Sequence, residues 1–136
     1  MSTLNVDALV GNTSANAITV RGEGTATTSL QQGLAKCWAN VDAENSTMGI
    51  FDSFNVSSVA DGGNGKITVN INNNMSNTTY CFLFGVANGS GFDDDPTLNV
   101  DGSELPTTSV FKFYSIMNGS LNDARQGCMS INGDLA

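Results

Sequence analysis

The stretch Asp52-Ser53-Phe54-Asn55-Val56-Ser57-Ser58, followed by Asp61-Gly62-Gly63-Asn64-Gly65-Lys66-Ile67-Thr68-Val69-Asn70-Ile71, decides the fold. Phe54 and Val56 alternate with Asn55 and Ser57, and Ile67, Val69 and Ile71 alternate with Thr68 and Asn70. A period of two places one apolar face inward and one amide- and hydroxyl-rich face outward, as in a half-buried strand. Asp61-Gly62 and Asn64-Gly65 supply the positive φ that tight hairpin turns require. Two antiparallel strands joined by a glycine-rich turn follow.

The same alternation continues along the chain. Strands are expected at Lys36–Asp42, Ile50–Val59, Lys66–Asn72, Thr79–Val86, Thr97–Val100, Ser109–Met117 and Gln126–Asn132, with polar turns between them. No stretch carries convincing helical periodicity. Many short strands at close spacing predict an all-β fold, an antiparallel β-sandwich that is jelly-roll-like. Tyr80, Phe82 and Phe84 share one strand face, with Cys81 and Leu83 on the other, so that strand is expected either centrally or under a neighbouring subunit. Trp38, between Cys37 and Ala39, is expected in the core.

Residues 1–32 differ. They hold two thin apolar alternations, Leu4-Val6 and Ala17–Val20, and then the small-residue connector Gly22–Ser29. Such a segment buries too little to fold alone, so residues 1–32 are expected to form an extended N-terminal arm for docking or trimerisation, and residues 33–136 the sandwich. The apolar arm residues Leu4, Val6, Leu9, Ile18 and Val20 are the candidate assembly contacts, against sister subunits or another surface.

Composition excludes several function classes. The 136 residues include 13 Asp and Glu against 5 Lys and Arg, for a net charge of −8, and Arg21, Lys36, Lys66, Lys112 and Arg125 stand singly in the sequence. Nucleic-acid binding needs clustered cations and is not expected. Charged residues make up only 13% of the chain, against ~25% in an average domain; Asn, Ser, Thr and Gly take their place. No charged segment leads into an apolar run, and no apolar run approaches ~18 residues, so neither a signal peptide nor a membrane span is expected.

With no histidine, a Ser-His-Asp or Cys-His site cannot be built. Cys37, Cys81 and Cys128 form no Cys-x-x-Cys and read as small buried hydrophobes. The reading is of a non-enzyme without cofactor or metal. The one acidic run, Asp93-Asp94-Asp95 with Phe92 before it and Asp101 after it, lies in the longest irregular stretch, Ala87–Pro106. Long loops on a rigid sheet carry variable recognition, so Phe92, Asp93, Asp94, Asp95 and Asp101 form the candidate recognition loop.

Several motifs together resemble a family of short virion proteins from phages of marine and freshwater bacteria. They are Lys36-x-Trp38, Ser53-Phe54-Asn55-Val56-Ser57-Ser58, the turn Asp61-x-Gly63-x-Gly65 and Thr68-Val69-Asn70, with Met1–Asp7 and Gly133–Ala136 at the ends. The chain departs from that pattern at Cys37, where the family has Ala, and at Ile67, where it has an aromatic. The resemblance implies a structural virion protein, a trimeric capsid decoration, cement or head-fibre (knob) subunit. Its implied partners are sister copies and the major capsid protein or other virion proteins, with a host surface glycan or protein as a further one. Its implied location is the virion, assembled in the bacterial cytoplasm. A receptor-binding tail-fibre tip and a sugar-binding sandwich module are the alternatives.

Overall fold

A computed structural model describes residues 3–13, 17–21, 24–44, 47–87, 96–100 and 102–136. The chain divides into two compact units, Met1–Leu34 and Ala35–Ala136. In the first, strands β1 (Thr19–Arg21) and β2 (Thr27–Ser29) pair antiparallel, with Thr19 opposite Ser29. A single helical turn, α1 (Leu30–Gly33), follows. The Leu30 amide donates to the Ile18 carbonyl at 2.8 Å and closes the hairpin.

Among the described residues the second unit holds nine strands: β3 (Ala35–Asp42), β4 (Gly49–Phe54), β5 (Val56–Asp61), β6 (Lys66–Ile71), β7 (Cys81–Ala87), β8 (Thr97–Asn99), β9 (Val110–Met117), β10 (Ser120–Leu121) and β11 (Gln126–Asn132). One sheet runs β4-β3-β11-β7, and the other runs β10-β9-β6-β5 with β8 also on β9. Every pairing is antiparallel. The fold is all-β, two antiparallel sheets around one core, consistent with a β-sandwich.

Strict alternation builds that core. In β6 the buried residues are Ile67, Val69 and Ile71; in β9, Phe111, Phe113, Ser115 and Met117; in β11, Gly127, Met129 and Ile131. Phe111 lies within 6.2 Å, centroid to centroid, of Tyr80, Phe82, Phe84 and Phe113. Tilted ring pairs at such separations add to the apolar burial. The β5–β6 turn forms, with the Lys66 amide donating to the Gly63 carbonyl at 2.7 Å, but the positive φ falls on Gly63 and Gly65 rather than on Gly62 and Gly65.

Four expectations are corrected. The expected strand Ile50–Val59 is two strands in two different sheets, broken at Asn55, whose φ is +59°. A left-handed residue interrupts the period-two alternation, so Phe54 is exposed rather than inward. Trp38 is half-buried on the outer face of β3, because Cys37, Ala39 and Val41 take the inward positions in the core cluster. β7 is neither central nor covered within the chain; it is an edge strand, with Leu83 62% exposed. Cys81 is exposed with it, and Cys128 is half-buried, so only Cys37 is a fully buried thiol.

Candidate interaction surfaces

Three surfaces can be built from the residues upward. The first belongs to residues 1–34. Leu4, Val6, Leu9 and Val20 are all at least 50% exposed, Val10 is 83% exposed, and Ile18 is half-buried beside the β1–β2 hairpin. Isolated exposed aliphatics are ordinary on a protein surface, but these five together with Leu34, all among the described residues of one 34-residue unit, leave it little core of its own.

The second surface is the outer face of the four-stranded sheet. Register places Phe54, Trp38, Ser130 and Leu83 in one row across all four strands. Phe54 and Leu83 are exposed and Trp38 half-buried, so the row is an apolar strip with one hydroxyl in it. The next row, Asp52, Asn40, Cys128 and Gly85, is polar. There Gln126 Nε2 donates to Asn40 Oδ1 at 2.6 Å.

The third surface lies on the outer face of the other sheet, along β9. The inward run Phe111, Phe113, Ser115 leaves Val110, Lys112, Tyr114 and Ile116 facing outward, all half-buried. β6 sets Lys66 directly opposite Tyr114 and Thr68 opposite Lys112, while β8 sets Asn99 on the other side of Tyr114. Facing side chains in such pairs have Cβ atoms about 5 Å apart, so Lys66, Tyr114 and Lys112 are neighbours. Lys112 Nζ bonds Glu104 Oε1 at 2.9 Å. Among the described residues, no carboxylate pairs with Lys66.

These side chains line a depression of about 140 Å³, whose floor includes Gly62 and Thr68. It is continued along β9 in both directions. Glu104 and Lys112 also border a second depression next to Leu105 and Val110, and Lys66 and Tyr114 border a third next to Ile116 and Leu121. A row of three separate depressions therefore borders β9 between Val110 and Ile116. Reading the five cations singly along the chain misses it, because only the β6–β9 register brings Lys66 and Lys112 together.

Burial pushes the Cys37 thiol up to about 11, so it stays protonated at neutral pH. Tyr80, whose hydroxyl donates to the Thr107 carbonyl at 2.9 Å, is pushed up to about 12, chiefly by burial. No group of three or more His, Cys, Asp or Glu side chains among the described residues is placed to hold a metal ion. No helix among them is long and apolar enough to cross a membrane. The recognition-loop candidates Phe92, Asp93, Asp94, Asp95 and Asp101 lie outside the described residues.

Comparison with family models, with curated protein sequences and with solved structures returned no match.

Proposed function

We propose that the chain is a structural subunit of a phage particle, a trimeric capsid decoration or head-fibre subunit with no catalytic role. In this reading the second unit is the outward-facing, jelly-roll-like module, and residues 1–32 are an extended arm that docks on the shell or on a sister subunit. Two features favour a roll: the first and last strands of the unit, β3 and β11, are paired, and the chain passes from one sheet to the other at Asn55. The observation that carries the assembly reading is the exposure of Leu4, Val6, Leu9, Val10 and Val20 in one small unit. Burying each against a partner contributes about 1–2 kcal/mol, and such area is what holds obligate assemblies together. The strip Phe54, Trp38 and Leu83 adds apolar surface available for the same purpose. Closed rotational symmetry is the usual arrangement of identical subunits, and the virion-protein resemblance favours the three-fold.

Sedimentation velocity on the full chain and on a chain lacking residues 1–32 tests this, together with co-sedimentation with particles of the encoding phage. The reading expects a trimer that binds particles, and a folded truncated chain that does neither. A full-length monomer that fails to bind particles, or a truncated chain that decorates them at wild-type occupancy, overturns it.

A further inference from the structure

We infer that Asn118 is a site of spontaneous modification, at which the turn between β9 and β10 loses ammonia and becomes an isoaspartate. An asparagine followed by glycine closes a five-membered ring readily, because a residue without Cβ leaves its backbone nitrogen open to the preceding side chain. The Gly119 nitrogen attacks Asn118 Cγ and a C–N bond forms. The bond from Cγ to Nδ2 breaks, and ammonia departs with the proton of the Gly119 amide. Water then opens the resulting succinimide at either carbonyl. One product carries aspartate at position 118. The other routes its backbone through the former side chain, one methylene longer, and leaves the former main-chain carbonyl as a free carboxylate.

The chain contains four such pairs, Asn64-Gly65, Asn88-Gly89, Asn118-Gly119 and Asn132-Gly133, of which Asn88-Gly89 lies outside the described residues. The fold treats the other three differently. At Asn64-Gly65 the attacking nitrogen donates to Asp123 Oδ1 at 2.6 Å and Asn64 Nδ2 donates to the Leu121 carbonyl at 2.7 Å, so nucleophile and leaving group are both held. Asn132 stands in β11, between Ala35 on one side and Cys81 on the other. Beside it, a Cβ on Gly133 would lie 2.9 Å from the Tyr80 Cβ and 3.1 Å from the Met75 methyl, so no ring closes there without separating strands.

Asn118 and Gly119 are both exposed, and a Cβ on Gly119 would meet nothing within 4 Å. Their φ angles, +50° and +77°, make them the two left-handed residues of a tight hairpin turn. Ring closure needs rotation about the Asn118 Cα–C bond, so the turn must open first. Opening is cheap, because β10 has two residues and holds β9 only at Met117 and Ile116. The bond from Asn64 Nδ2 to the Leu121 carbonyl, and that from the Asn122 amide to the Ser115 carbonyl at 3.2 Å, stop the opening behind the turn. The modified backbone is thereby confined to the hairpin tip while the sandwich stays folded. Residues 1–32 take no part.

Peptide mapping of the full chain tests this, after incubation in a warm, mildly alkaline buffer, folded and in parallel unfolded in urea. Unfolded, Asn64, Asn118 and Asn132 should lose ammonia at comparable rates. Folded, Asn118 should react at least about tenfold faster than the other two, the ratio given by a difference of about 1.4 kcal/mol in opening free energy. Electron-transfer fragmentation should show isoaspartate at position 118, and Asn118→Gln, which must close a larger ring, should leave that position unmodified. Equal rates at the three positions in the folded chain, or Asn118 intact while the unfolded chain reacts, overturns the inference. Aspartate without isoaspartate at position 118 would mean direct hydrolysis and overturns it equally.

Discussion

Asn55 and Asn73 bind each other twice: Asn55 Oδ1 accepts from the Asn73 amide at 2.7 Å, and Asn55 Nδ2 donates to the Asn73 carbonyl at 3.0 Å. The same Nδ2 reaches the Lys36 carbonyl at 2.9 Å, and the Asn55 carbonyl accepts from the Asn72 amide at 3.0 Å. One side chain thus ties together the start of β3, the end of β6 and the β4–β5 corner. Asparagine suits the place because it tolerates the left-handed conformation and carries both a donor and an acceptor.

Asn55→Ala removes three side-chain hydrogen bonds at about 1 kcal/mol each and adds left-handed strain of about 1 kcal/mol, for a loss near 3–4 kcal/mol. Asn55→Gly keeps the backbone unstrained and should cost about 1 kcal/mol less. Urea unfolding of the two variants measures the difference. Equal losses would show that φ at this corner contributes nothing.

The two faces of β3 give the second prediction. Trp38→Ala removes a half-buried outward side chain and should cost about 1–2 kcal/mol, while Phe111→Ala, at the centre of the aromatic cluster, should cost about 3–5 kcal/mol. Thermal or urea unfolding of both variants checks the order. A larger loss at Trp38 would mean that the outer face is packed.

β3 also shows how far the residues alone can be read. The alternation in Lys36–Asp42 predicts a strand, and β3 covers it within one residue. Alternation does not say which face is inward, and the larger apolar residue, Trp38, points the wrong way. The inward side is set by the core that Cys37, Ala39 and Val41 share with Phe111 and Phe113 of the other sheet, and that is a long-range property. The corner at Asn55 is hidden for a related reason: Phe54-Asn55-Val56 keeps perfect period two while the backbone changes sheet. The hairpin Gly62–Gly65 is local and legible, although Gly63 rather than Gly62 takes the positive φ. The row of depressions along β9 depends on β6–β9 register, which no single strand reveals.

The thiols should separate by reactivity and by pH. Cys81 is exposed and should react with a thiol reagent in the folded protein, Cys128 more slowly, and Cys37 only on unfolding. The folded Cys37 thiol titrates near 11, above its ordinary value of 9.0, because burial disfavours the thiolate. A raised acid holds its proton longer in the folded state, so its contribution to stability is complete below about pH 9 and is lost as pH rises toward 11. Urea unfolding across pH 8.5–10.5 should show falling stability, with a shallower fall in Cys37→Ala. Identical slopes in the two proteins would contradict the burial of this thiol.

Gly63 and Gly65 share a turn but should not share a sensitivity. Both have positive φ, +99° and +69°. A Cβ on Gly63 meets nothing within 4 Å, so Gly63→Ala bears only the conformational cost, about 1–2 kcal/mol. A Cβ on Gly65 would stand 2.7 Å from both the Asn122 nitrogen and the Ser115 carbonyl oxygen, which are backbone atoms and cannot rotate away. Gly65 is also a junction: its amide donates to Asp123 Oδ1 at 2.6 Å, and its carbonyl accepts from the Ser115 amide at 2.7 Å. Those bonds join the β5–β6 turn to β9 and to the segment leading into β11. Gly65→Ala should therefore cost several kcal/mol, more than twice Gly63→Ala, through clash and the loss of about two hydrogen bonds. Paired urea titrations of the two variants decide it. Equal destabilisation would mean that strand β9 and the Asn122 segment yield at no cost, and that the turn is not packed against them.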